Sequence, residues 1–184
     1  LLFSLKARGL IQEQRGWITR CLIATEAADG TAPAFDTEAG ALWLFVMSTS
    51  ASIALDAHNL AEADEVYNRI RLTLEGAEEA DERDRRLAIV YHQLGMVAQR
   101  RGDLDQAEDW YKKSLKISEA LGNRTGLAKT YHQLGIVAEL RGDLDQAEAW
   151  YKKSLEIKEA LGNRPGMANS YGQLGILAQR RGDL

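Results

Sequence analysis

Two histidines in equivalent positions are the first candidates for chemistry in this sequence. His92 and His132 lie 40 residues apart, each inside a Tyr-His-Gln tripeptide. A zinc site would need both imidazoles and further ligands, and no cysteine or carboxylate cluster accompanies them. The axes of adjacent helices also lie about 8–10 Å apart. We therefore expect no metal here, and we interpret both histidines as polar residues of a solvated groove.

Catalytic groups are also lacking from the sequence pattern. The chain contains no glycine-rich phosphate-binding loop and no nucleophile with a paired base, and its single cysteine, Cys21, has no histidine near it in sequence. The prediction is a protein that is not an enzyme, with no catalytic residue and no cofactor.

Three Arg-Gly-Asp tripeptides, at residues 101–103, 141–143 and 181–183, could be taken for adhesion motifs. A structural role explains each residue equally well. Arginine is favoured near a helix C-terminus, glycine ends the helix, and aspartate begins the next one. The structural interpretation is preferred because it explains every residue, whereas an adhesion motif would require an extracellular protein.

Composition narrows the class of partner. The 184 residues are 45% hydrophobic and 27% charged, with a net charge of −4, so we expect neither nucleic acid nor an anionic membrane surface as partner. The apolar run at residues 41–55 is shorter than a membrane span and contains serines, which predicts a buried core helix. A single cysteine and the lack of a secretory signal favour the cytoplasm. Because the sequence opens on Leu1 and stops within a repeat, we expect it to be part of a longer protein.

An internal repetition dominates the second half of the sequence. Residues 91–130 and 131–170 differ at ten of 40 positions, and a third copy begins at Tyr171. Repetition with such a period is typical of a solenoid built from stacked units.

Each repeat reads as a pair of antiparallel helices. Gly142 should end the first helix in the left-handed conformation. Asp143 should cap the second, with Gln146 completing a capping box. Gly135 and Ala147 are small enough to let the two helices approach closely. Since neither helix can bury its apolar face alone, successive repeats must stack.

We extend this pattern over the whole chain and predict an all-α fold, a right-handed α-solenoid of antiparallel helix pairs with nine helices and about 4.5 repeats. Residues 1–84 would hold two degenerate pairs: helices at 1–15 and 17–28 separated by Gly16, then helices at 36–57 and 59–75 capped by Asp36 and Asn59. Residues 77–84 would be a charged connector or a helix extension. Residues 85–184 would hold two regular repeats and the first helix of a further one.

The repeat resembles the tetratricopeptide repeat. The residues that carry the resemblance recur in successive copies: Tyr91, Leu94, Gly95, Ala98, Gly102, Ala107 and Tyr111, then Tyr131, Leu134, Gly135, Ala138, Gly142, Ala147 and Tyr151, then Tyr171, Leu174, Gly175, Ala178 and Gly182. The usual repeat has about 34 residues. The longer form is similar to the repeats of kinesin light chains, of Leu-Gly-Asn-repeat adaptors, and of arrays attached to bacterial signalling ATPases and caspase-like proteases. The resemblance implies a scaffold that binds a partner protein through its concave face.

The sequence departs from two of these relatives. Where the Leu-Gly-Asn adaptors place asparagine after Leu-Gly, this chain has Met96, Ile136 and Ile176. Chaperone-binding members grip a C-terminal carboxylate with Lys and Asn on successive first helices. The corresponding positions here hold histidine, methionine and isoleucine, so we expect no clamp of that kind.

The predicted partner-binding groove is formed by the first helix of each repeat. It presents an apolar stripe flanked by amides and mixed charge, which suits an amphipathic helix or an extended peptide. Its residues are His92, Gln93, Met96, Gln99, Arg100, Lys129, His132, Gln133, Ile136, Glu139, Asn169, Gln173, Ile176 and Arg180.

Two alternatives to a peptide-binding scaffold stay open. The repeats could be the regulatory or sensor array of a larger switch protein, contacting another domain of their own chain. They could also self-associate through the last helix, at residues 165–181, because without a partner helix its Leu174, Ile176, Leu177 and Ala178 would leave apolar surface exposed.

Overall fold

The structure, a computed structural model, describes residues 2–34, 36–77 and 80–182, and the regular elements there are all helices, without strands. Eight helices follow one another along these residues: α1 Leu2–Thr25, α2 Glu38–Asp56, α3 Leu60–Glu75, α4 Ala80–Arg101, α5 Leu104–Ala120, α6 Arg124–Leu140, α7 Leu144–Ala160 and α8 Arg164–Arg181.

The prediction of nine helices was wrong at Gly16. Helix α1 continues through this glycine, so the described residues contain three helix pairs with one single helix before them and one after them. Glycine inside a helix costs about 1 kcal/mol relative to alanine, and the helix formers on either side outweigh that cost. The first of the two degenerate pairs predicted within residues 1–84 is therefore absent as a pair.

Two smaller boundary predictions change as well. The side chain of Thr37, not Asp36, accepts the capping hydrogen bond at the start of α2, from the backbone N–H of Gly40 at 3.0 Å. Helix α4 already begins at Ala80, inside the predicted connector at residues 77–84. Glu78 and Glu79 of that connector, and Asp183 of the third Arg-Gly-Asp, lie outside the described residues.

The chain divides into two compact units, Leu1–Arg83 and Asp84–Leu184, called unit 1 and unit 2 below. In unit 1, α2 packs on both α1 and α3. Trp43 of α2 is completely buried at its centre, and its indole N–H donates to Oε1 of Glu26 at 2.7 Å. The same carboxylate pairs with Arg69 of α3 at 3.0 Å, and the Arg69 guanidinium lies over the Trp43 ring. One tryptophan thus ties the end of α1 to α2 and α3.

Helix α2 includes the apolar run that the sequence assigns to a core helix. Its Trp43, Leu44, Val46, Met47 and Leu55 are buried. By length and composition alone, α2 is also long and apolar enough to cross a membrane, and 44% of its apolar stretch is buried inside the protein. Core helices can have the same length and composition, so these two properties do not distinguish a core helix from a membrane span.

In unit 2 the predicted helix stops and N-caps are confirmed, but the predicted capping box is only half formed, because the backbone N–H of Asp143 donates to the carbonyl of Ala138. Gly142 has φ of 82°, and the Asp143 carboxylate accepts from the backbone N–H of Gln146 at 3.0 Å. Asn123 and Asn163 cap α6 and α8 in the same way. Arg141 also pairs with Asp105 and Glu108 of α5, so every residue of that Arg-Gly-Asp has a structural role.

In each helix pair of unit 2, a tyrosine of the second helix packs against a glycine of the first. The ring of Tyr111 covers Gly95, and the ring of Tyr151 covers Gly135, so closely that a Cβ at either glycine would lie 2.4–2.5 Å from ring carbons. Both tyrosines are fully buried. Their hydroxyls donate to Gln99 and Glu139 on the first helix of the pair, each at 2.8 Å. The close helix approach predicted at Gly135 is therefore confirmed.

Candidate functional site

A cleft of about 270 Å³ opens in unit 2 where α4, α5 and α6 meet. The first turn of α6 and its capping residue close one end, and the facing sides of α4 and α6 form the walls. Its lining residues are Ala88, Ile89, His92, Gln93, Met96, Ser114, Ser118, Asn123, Thr125, Gly126, Lys129 and Thr130. Lys129 is the charged residue of this lining, and no carboxylate belongs to it.

The structure brings four of the predicted groove residues into this cleft: His92, Gln93 and Met96 from α4, and Lys129 from α6. Gln99 and Glu139 are engaged elsewhere, since they accept the hydroxyls of the buried tyrosines. Glu139 also pairs with Arg180 at 3.0 Å. The remaining predicted residues lie outside the cleft lining: Arg100, His132, Gln133, Ile136, Asn169, Gln173 and Ile176.

Several cleft residues were missed by the sequence interpretation. Ile89 is 61% exposed although it is a large aliphatic residue. It lies three, four and seven positions before His92, Gln93 and Met96, the spacing of one helix face, and this signal could have identified it. Ser114 and Ser118 come from α5, a second helix, whereas the prediction drew the groove from first helices.

His92 is held in place from two sides. Its Nδ1 lies 3.2 Å from Oγ1 of the buried Thr130, and its ring packs against Tyr111. Burial lowers the pKa of His92 to about 4, and the nearby Lys129 contributes. At neutral pH the imidazole is therefore uncharged and offers one donor and one acceptor.

His132 occupies the equivalent position one repeat later but has a different environment. Its ring packs against Tyr151, while Nδ1 is buried and has no hydrogen-bond partner within the described part of the chain. Burial lowers its pKa to about 4 as well, here with a contribution from Lys158. Across residues 2–34, 36–77 and 80–182, no three His, Cys, Asp or Glu side chains come together as metal ligands.

A repeated aromatic stack joins the first and second helix of a pair, outside the cleft lining. The rings of Tyr91 and Trp110 stack with centroids 5.5 Å apart, and the Nζ of Lys113 lies 4.2 Å from the Trp110 centroid. Tyr131, Trp150 and Lys153 repeat the arrangement. Trp110 and Trp150 thus each cover a contact between the two helices of a pair.

We expect acid to destabilise the protein through its two half-buried histidines. Their folded pKa lies below the ordinary value of 6.5, so the unfolded chain binds protons first as pH falls. The stabilisation is complete above pH 6.5 and is lost as pH falls towards 4, by about 1–2 kcal/mol per histidine at pH 5. Urea unfolding of the wild type and of the double variant His92→Gln/His132→Gln at pH 7.5 and pH 5 measures it. The variant should lose clearly less stability, and equal losses would contradict the expectation.

Comparison with known proteins identifies the family of the repeat. A family model described as tetratricopeptide repeat matches residues 44–120, 86–160 and 126–184. A search of the curated proteins gave no match. Among solved structures, the crystal structure of BtubC (BKLC) from P. vanneervenii matches with a TM-score of 0.76 and 20% identity, over 92% of this chain and 66% of that chain.

These matches confirm the resemblance that the sequence motifs carry. At 20% identity the likeness to BtubC shows the fold alone, and the present chain spans 66% of that protein's length. Tetratricopeptide repeats form α-solenoids of stacked helix pairs; they are generally non-catalytic and mediate protein–protein interaction. With the repeat model matching from residue 44 to residue 184, this chain belongs to the tetratricopeptide repeat family.

Proposed function

We propose that unit 2 binds a peptide segment of a partner protein, or of another domain of its own chain, in the cleft between α4 and α6. The observation that carries the proposal is that one face of α4 combines an exposed apolar side chain with a polar side chain that is free to bind. Ile89 leaves 61% of its side chain exposed at the cleft. Next to it, the Gln93 side chain makes no hydrogen bond within the described residues and is available to a ligand.

The chemistry of the cleft fits a peptide. Ile89 and Met96 provide apolar contact, and Met adapts to ligands of irregular shape. Gln93 and the neutral His92 can bond to peptide N–H and C=O groups. Helix-in-groove and extended-peptide binding both use such a mixture of apolar anchors and a few polar groups.

A matched pair of variants tests the proposal. Ile89 of α4 and Leu140 of α6 are exposed aliphatic residues in unit 2, at 61% and 59%, and only Ile89 lines the cleft. Peptides are selected from a random displayed library on the wild-type protein, and their affinity is measured by fluorescence anisotropy. We expect Ile89→Asp to weaken binding about tenfold or more, which is about 1.4 kcal/mol, while Leu140→Asp leaves it unchanged.

The two variants separate the cleft from the rest of the surface. If both weaken binding equally, or neither does, the cleft is not the binding site. Circular dichroism of both variants checks that the added charge has not unfolded either protein.

Self-association through α8 stays a second prediction. Tyr171 and Ile176 are exposed, at 53% and 43%, but Leu177, predicted to contribute exposed apolar surface, is buried. Its burial leaves a smaller apolar surface on α8 than the sequence indicates. Sedimentation over a concentration series measures whether this surface is used.

A further inference from the structure

One of the ten differences between the two regular repeats replaces a small neutral residue with a cation. Ser118 stands in the last turn of α5, and Lys158 stands at the same position of α7. Both are buried, with 1% and 6% of their surface exposed. Lysine is almost never buried to this degree unless its charge is paired.

The surroundings of Lys158 correspond to the lining of the α4–α6 cleft. Its Nζ donates to Oγ of Ser170 at 2.8 Å, and its charge acts on His132. The counterparts of these two residues one repeat earlier, Thr130 and His92, both line the cleft together with Ser118. Lys158 therefore occupies, between α6 and α8, the position that Ser118 has in the cleft.

Within the described residues, no carboxylate balances the charge of Lys158. Among the described residues no carboxylate lies within the 4.0 Å of an ion pair, and Ser170 is the one acceptor that its ammonium reaches. An ammonium has three N–H donors, so two have no acceptor in this part of the chain. The Nδ1 of His132 is buried and has no hydrogen-bond partner among the described residues. Burial lowers the pKa of Lys158, as expected for a cation removed from water without a counter-charge.

Burying Lys158 in this way lowers the stability of the protein, and a neutral residue at the same position of the repeat would avoid that loss. A buried charge without an ionic partner is unfavourable, while the serine at position 118 fits the equivalent place with no charge at all. The α4–α6 cleft adds the positive Lys129 and no carboxylate. Both features favour a negatively charged ligand.

We propose that Lys158 is an anchor for an aspartate or glutamate side chain of the bound peptide, one repeat further along the groove than the α4–α6 cleft. This inference rests on the proposed function, since it requires a peptide in the groove. The anchor lies on α7, a second helix, and so differs from a clamp built on first helices. With neighbouring helices roughly 8–10 Å apart and about 3.3 Å per extended residue, the acidic residue should follow or precede the cleft-bound residue by about three positions.

Selection from a random displayed peptide library, on the wild type and on Lys158→Ser, tests the anchor. Serine is the residue that this repeat accepts at position 118, so the variant is expected to fold. The wild type should enrich Asp or Glu at about three positions from an apolar residue, and Lys158→Ser should not. One selected acidic peptide and its Gln or Asn counterpart are then measured on both proteins by fluorescence anisotropy.

The expected result is a loss of about tenfold for the acidic peptide on Lys158→Ser, with equal affinities of the amide peptide for both proteins. Equal affinities of the acidic and amide peptides for the wild type overturn the inference. If Ile89→Asp still weakens binding in that case, the peptide-binding cleft stands without the acidic anchor. If Ile89→Asp has no effect, the proposed function itself fails.

The free protein provides a second readout. Lys158→Met replaces the ammonium with an apolar chain of similar length. If the lysine is kept for ligand binding, the midpoint of urea unfolding should stay unchanged or rise. A clear fall in the midpoint would instead assign Lys158 a structural role and overturn the inference.

Discussion

Replacement of Gly135 with alanine should lower the free energy of unfolding by about 1–3 kcal/mol, as expected for overpacking of a core. The added Cβ would lie 2.5 Å from Cδ1 and Cε1 of Tyr151, far inside a van der Waals contact. The ring cannot move away cheaply. Tyr151 is fully buried, and its hydroxyl donates to Glu139 at 2.8 Å, on the same helix as the glycine.

The third copy of the repeat supplies the control. Gly175 is the equivalent glycine of α8, and a Cβ there would have no heavy atom within 4 Å. Gly175→Ala should therefore stabilise the protein by up to about 1 kcal/mol through helix propensity alone. Urea unfolding followed by circular dichroism measures both variants. Effects of the same sign at the two positions would show that the tyrosine contact is not what requires glycine at Gly135.

Truncation of Trp43 to alanine should cost about 3–5 kcal/mol of unfolding free energy, the range for large aromatic residues in a core. The side chain is completely buried in unit 1. Its removal leaves a cavity, and it also leaves Glu26 without the indole N–H donor at 2.7 Å. Arg69 loses the ring over which it lies. Since residues from the end of α1, from α2 and from α3 meet at this indole, all three helices should lose packing together.

Trp17 is the matched residue for this experiment. It is the same residue type in the same unit but is 56% exposed, so Trp17→Ala should change stability by only about 0.5 kcal/mol. Urea unfolding followed by circular dichroism compares the two. A cost at Trp17 as large as that at Trp43 would contradict the assignment of the unit 1 core to Trp43.

Most of unit 2 could be predicted from the sequence because its signals are local. A glycine that must adopt positive φ, followed by an aspartate cap, ends one helix and starts the next within a few residues, as Gly142 and Asp143 do. The 40-residue repetition then placed the same features at every copy. Close approach at Gly135, and the burial of Tyr151 opposite it, follow from the same register.

The first half of the chain is less predictable because it has few such local signals. There the repeat signal is weak, and a single glycine was interpreted as a helix break. Glycine at position 16 only lowers helix propensity by about 1 kcal/mol, and helix α1 extends through it. At such a position the neighbouring residues and the packing on α2 decide the outcome.

The sequence by itself therefore determined the family, the helix pairing of unit 2 and its caps, and it placed His92, Gln93 and Met96 on one face of α4, since all of these depend on residue type and spacing. Only the tertiary structure decided which residues of the second helices line the cleft or are buried beside it. It showed that Ser114 and Ser118 of a second helix line the cleft, and that Lys158 is buried with no carboxylate partner among residues 2–34, 36–77 and 80–182. A lysine in a helical pattern reads as a solvated residue, because burial and charge pairing depend on contacts between helices that no local pattern contains.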